Sequence, residues 1–62
     1  MTNMNQTELQ NLKKLVILQE TMYEKANAYS AQAVDPQIKQ VFTKYAQDRL
    51  NTKQKLITFF KD

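Results

Sequence analysis

An all-α fold, an antiparallel two-helix hairpin that dimerises into a four-helix bundle, is what the 62-residue sequence predicts. Three observations carry the prediction. The chain has no Gly, and it is rich in Leu, Gln, Lys, Glu and Ala, which lose little or no side-chain entropy in a helix. Its one Pro follows Asp35, and that dipeptide is the only strong breaker along the chain. On either side of it apolar residues recur at spacings of three and four, the period of a helix with one covered face. Residues 1–62 read as a single domain, without an internal repeat or a low-complexity segment.

Met1–Gln6 carries no charge and reads as a frayed tail, unlike the basic start of a signal peptide. The first helix is predicted over 7–34. Thr7 and Gln10 have the spacing of a capping box, and Glu8 suits the positive end of the helix dipole. Its apolar stripe is Leu12, Leu15, Gln19, Met22, Ala26, Tyr29 and Ala33, widened by Leu9, Val16, Tyr23 and Ser30. Leu18 stands as an apolar exception near the outer face. Asp35 is placed to cap the second helix, and Pro36 fits its first position, where a missing N–H leaves nothing unpaired. The proline also drives Asp35 out of helical geometry, so the boundary falls at Val34–Asp35. The second helix is predicted over 36–60. Its stripe is Ile38, Phe42, Tyr45, Arg49, Thr52, Leu56 and Phe59, flanked by Val41, Ala46, Leu50, Lys53, Ile57 and Phe60.

Two helices of similar length joined by so short a link pack antiparallel. Each stripe is wider than one neighbouring helix can cover, and a chain of this size buries only about 60% of its unfolded surface. Disulfide and thiolate–imidazole zinc staples are ruled out, since Cys and His are both absent. A homodimer is therefore expected, with Leu12, Leu15, Met22, Phe42, Tyr45, Leu50, Leu56, Ile57 and Phe60 at its interface.

The same absences exclude much chemistry. Without His there is no default general base, imidazole ligand or physiological-pH switch. Without Gly there is no phosphate-cradling loop. No apolar run approaches the ~18–20 residues of a membrane span. Neither a catalytic constellation nor a cofactor is expected. Glu20 and Glu24, one helical turn apart, could hold a hard ion weakly with help from Asp48, but they read more simply as solvated glutamates. Gln19 and Arg49 interrupt the two stripes. Gln19 reads as an edge residue or as a buried amide that sets helix register. Arg49 reads as a snorkelling side chain or as the partner of Glu20 or Glu24. The net charge is +3, but the lysines are spread around both helices rather than gathered on one face, which argues against nucleic-acid binding.

One segment suggests a family. Lys25-Ala26, Tyr29, Asp35-Pro36, Ile38-Lys39, Phe42 and Ala46-Gln47, at their spacings here, resemble the coat F-like spore coat proteins, short members of the ferritin-like helical superfamily. The resemblance extends from Leu12 to Phe60. It implies a helical hairpin, a ferritin-like bundle, and a spore-associated structural role with other spore coat proteins as partners. Where relatives carry a helix-1 Glu this chain has Gln19, and where they carry two His it has Arg49 and Thr52. The resemblance therefore implies that a carboxylate–histidine metal site is absent here. The expectation is an intracellular, non-enzymatic structural protein, located in the spore coat if the resemblance holds. The competing expectations are a degenerate metal-binding protein and a small regulatory helical-hairpin binding protein.

Overall fold

Asn5 and Asp35, two short side chains that accept from backbone N–H groups, start the two helices seen in the computed structural model, which describes residues 4–60. Helix α1 spans Gln6–Gln32 and helix α2 spans Pro36–Ile57, followed by a 3₁₀ turn over Thr58–Phe60. The helices pack against each other as an antiparallel hairpin 46 Å long, 16 Å wide and 10 Å thick between Cα atoms. Among the described residues no helix is long and apolar enough to cross a membrane.

The start of α1 corrects the expected capping box. Asn5, not Thr7, is the N-cap: its Oδ1 accepts from the Glu8 N–H at 2.8 Å, and the Asn5 N–H donates back to Glu8 Oε1 at 3.1 Å. Asn ranks at least as high as Thr at this position, and starting there puts a glutamate rather than Gln10 at the third helical residue. Met4 and Leu9 occupy the positions of a hydrophobic staple, and both are half-buried. The expected tail is thus shorter than 1–6, since Gln6 is already helical; residues 1–3 lie outside the described residues.

Helix α1 ends two residues earlier than predicted. Ala33 already has extended geometry, φ −68° and ψ 132°, while its N–H still bonds to Tyr29 O at 2.9 Å and Ser30 O at 3.3 Å. Asp35 is extended too, φ −72° and ψ 123°, and its Oδ1 accepts from the N–H groups of Gln37 at 2.7 Å and Ile38 at 3.4 Å. The link needs no left-handed residue, and among the described residues none has positive φ. That is how a chain without Gly reverses direction. No basic residue of α1 lies in its own last turn. Lys39 supplies the cation from α2, with Nζ donating to Ser30 O at 3.2 Å. At the other end, α2 stops at Ile57 rather than running to 60 as α-helix. Thr58 Oγ1 donates to Lys55 O at 2.6 Å as the helix tightens into the 3₁₀ turn.

The seam between the helices is narrow. Ala26 and Ala46 are its buried apolar residues, 3% and 2% exposed, and Gln19 and Ser30 are its buried polar ones, 7% and 8% exposed. Ser30 Oγ and Thr43 Oγ1 hydrogen-bond at 2.7 Å, and Thr43 Oγ1 also donates to Lys39 O at 2.9 Å. Near the turn, Tyr29 meets Phe42 with ring centroids 5.5 Å apart and planes tilted by 56°.

Replacing Asn5 or Asp35 by Ala should each cost about 1 kcal/mol in urea unfolding at fixed protein concentration, whereas Thr7→Ala should change little. Pro36→Ala should be milder than Asp35→Ala, because its effect is mainly on unfolded-chain entropy. A Thr7→Ala cost as large as that of Asn5→Ala would show that the cap is misplaced.

Candidate interaction surface

Because only small and polar side chains fit the closest approach of α1 and α2, the larger apolar ones sit on its two shoulders. The shoulders differ. On one, Met22, Lys25, Ala26 and Tyr29 of α1 and Val41, Phe42 and Tyr45 of α2 line an open groove of about 410 Å³. Helical spacing extends this face through Leu18 and Leu15, one and two turns before Met22, and through Ile38, one turn before Phe42. Leu15, Leu18, Tyr29, Ile38, Val41 and Tyr45 are between 41% and 61% exposed. The other shoulder is a smaller furrow of about 290 Å³ lined by Glu20, Tyr23, Glu24, Leu50 and Lys53. There Lys53 Nζ meets Glu20 Oε2 at 3.1 Å, a partly exposed pair that contributes little to stability.

Polar residues at mid-height tie the seam to the open face. Arg49 Nη1 donates to Gln19 Oε1 at 3.0 Å, and Arg49 Cζ lies 5.3 Å from the centre of the Tyr45 ring. Arg49 Nε is buried and has no hydrogen-bond partner. Of the two sequence expectations for Gln19, the buried amide is the one observed, and its partner is Arg49. Arg49 does not pair with Glu20 or Glu24. Glu20 is taken by Lys53, which reaches it from α2 across the furrow.

Of the residues expected at a dimer interface, Leu15, Met22, Phe42 and Tyr45 lie on the open face, while Leu50 lines the opposite furrow. Leu12, Leu56 and Ile57 are half-buried towards the open end of the hairpin, and Phe60 is exposed in the 3₁₀ turn. Sequence reasoning left Leu18, Tyr29, Ile38 and Val41 out of that set. Their signal was available: Leu18 lies four residues before Met22, and Ile38, Val41 and Tyr45 are spaced by three and four. Glu20 and Glu24 share the furrow, but Asp48 does not join them, and no group of three carboxylates able to hold a metal occurs among the described residues.

Compared with models of known protein families, with curated proteins and with solved structures, the chain matches none of them.

Arg49→Ala strands the buried Gln19 amide and should cost about 1–3 kcal/mol in denaturant unfolding. Joint replacement by Gln19→Leu and Arg49→Met removes both partners and should recover most of that loss. A double variant as unstable as the sum of the single ones would show that the two side chains act separately. Titration of the purified protein with Mn²⁺ by calorimetry should show no binding at micromolar or tighter affinity.

Proposed function

We propose that this chain is a non-enzymatic interaction protein that works as a homodimeric four-helix bundle, joined through the open face of the hairpin. The observation that carries the reading is the concentration of exposed apolar side chains on the open face. Among the described residues Ala26 and Ala46 are the buried apolar ones, while six of the ten exposed large apolar side chains stand 41–61% exposed along a single face; the others are Ile17, Val34, Phe59 and Phe60. Monomers rarely leave a continuous apolar patch of this extent in water. A hairpin 46 Å by 16 Å between Cα atoms offers roughly 700 Å² per copy, so two copies stacked face to face enclose about 1,400 Å², within the range of stable specific interfaces. The exposed aromatic and aliphatic side chains of that face would then form the core that one hairpin lacks. A structural role in a spore-associated assembly is the further part of the proposal, and the likeness of the Lys25–Gln47 segment to coat F-like proteins is its support.

Sedimentation equilibrium should give twice the chain mass of 7.3 kDa, and the melting temperature should rise with protein concentration. Val41→Lys together with Tyr45→Lys should shift the protein towards monomer and lower its melting temperature. A folded 7.3 kDa species that melts at the same temperature at every concentration would overturn the reading.

A further inference from the structure

Two identical hairpins can stack face to face about a two-fold axis in two ways. With the axis parallel to the helices, α2 of one copy lies on α1 of the other, and every residue stays level with its own counterpart. With the axis perpendicular to them, the copies run in opposite directions and α2 lies antiparallel on α2. We infer that the copies meet in the second way, with Arg49 of each reaching Asp48 of the other beside the axis. The inference rests on the self-association proposed above and names its geometry.

Arg49 separates the two arrangements. It sits at mid-height of the hairpin, bonded to Gln19 and stacked near the Tyr45 ring of the open face, with Nε buried and unpartnered. A second copy laid on this face removes the guanidinium further from water, and an N–H covered without an acceptor is costly. Stacked on α1, Arg49 would meet the stretch level with Gln19, whose open-face side chains are Leu15, Leu18 and Met22. None of them offers an oxygen. Stacked on α2, it meets the middle of α2 itself, because full overlap of two hairpins puts the axis at their midpoint. Helix α1, Gln6–Gln32, is centred on Gln19, and α2 together with its 3₁₀ turn, residues 36–60, is centred on Asp48, beside Arg49.

The outward strip of α2 there runs through Val41, Tyr45, Asp48 and Thr52, spaced by four, three and four; the first three are exposed and Thr52 is half-buried. Asp48 is exposed, and among the described residues it has no hydrogen-bond or ion-pair partner. Neighbours on a helix point about 100° apart, so Asp48 does not pair with Arg49 of its own chain. Across an axis beside residue 49 the two come within reach, and the symmetry makes the pair twice. The unpaired Asp48 carboxylate thus meets, across this axis, Nη2 of the other copy's Arg49, the guanidinium nitrogen that is neither bonded nor buried within one hairpin.

The chain has no Cys, so a single introduced thiol is unique. At ~1.5 Å per residue, Thr52 lies within about 6–12 Å of its counterpart along the helices in the inferred dimer, and Val41 about 20–27 Å from its own. Purified Thr52→Cys should therefore be joined into a covalent dimer by a short bis-maleimide, at least about tenfold faster than Val41→Cys. Equal rates for the two variants in a protein that sediments as a dimer would overturn the inferred axis while leaving the dimer standing. Sedimentation as a monomer would remove both. A second measurement uses complementation. Mixing Asp48→Ala with Arg49→Ala leaves one intact pair per mixed dimer and none in either homodimer, so the mixed species should dissociate with a Kd about fivefold lower than the mean of the two. No preference for the mixed dimer would overturn the pairing.

Discussion

In a hairpin each helix has one neighbour, so a side chain is enclosed only if it stands on the line of closest approach. In this molecule that line is occupied by Gln19, Ala26, Ser30 and Ala46, residues small or flexible enough to let the helices come together. Everything larger is displaced to one shoulder or the other, and the division between shoulders decides what the surface becomes. One receives Met22, Tyr29, Val41, Phe42 and Tyr45; the other receives Glu20, Glu24 and Lys53 with Tyr23 and Leu50 between them. The second shoulder is finished by charge and solvent. The first has an apolar lining with Lys25 at its margin, and further protein is the natural cover for it.

The polar residues of the seam make the hairpin specific where its apolar residues could not. Alanine against alanine has no preferred height, so a helix could slide by a turn at little cost. Gln19 with Arg49 at mid-height, and Ser30 with Thr43 near the turn, hold α1 and α2 at one register. The link is held from both sides. Asp35 satisfies the first N–H groups of α2, and Lys39 caps a last-turn carbonyl of α1. Both depend on residues close to Pro36, which sets where α2 can begin.

That dependence explains what could be read from the chain. Asp35-Pro36 is a local signal, and the residues that answer it lie within a few positions, so the break and the cap of α2 were legible. The start of α1 was less so. Asn5 and Thr7 each precede a plausible third-position partner, Glu8 and Gln10, and only the geometry of the turn distinguishes them. The predicted stripes contain all four buried residues, Gln19, Ala26, Ser30 and Ala46, but they are much wider than the seam, for a more general reason. Periodicity locates the centre of the apolar residues, which in α1 runs near Leu15, Met22 and Tyr29. Contact between helices selects instead the smallest residues beside that centre, Ala26 and Ser30, and turns the large ones outward. The offset between the apolar centre and the actual seam cannot be seen until the second helix is in place. It is also the feature on which the dimer proposal rests.

The acidic side chains lead to the same face by elimination. Of the six in the chain, Glu8 and Asp35 are engaged in caps and Glu20 is bonded to Lys53. Glu24 stands in the furrow beside that pair, and Asp62 lies outside the described residues. Asp48 remains, set between Tyr45 and Thr52 on the strip that a second copy would cover. A carboxylate at that place weakens an apolar surface unless it is answered, and the cation with an unfilled donor is its immediate neighbour in sequence. Helical geometry forbids the two from meeting within one chain. A pair that one hairpin cannot close, and two can, is the arrangement a self-associating helix pair would need in order to specify direction as well as affinity.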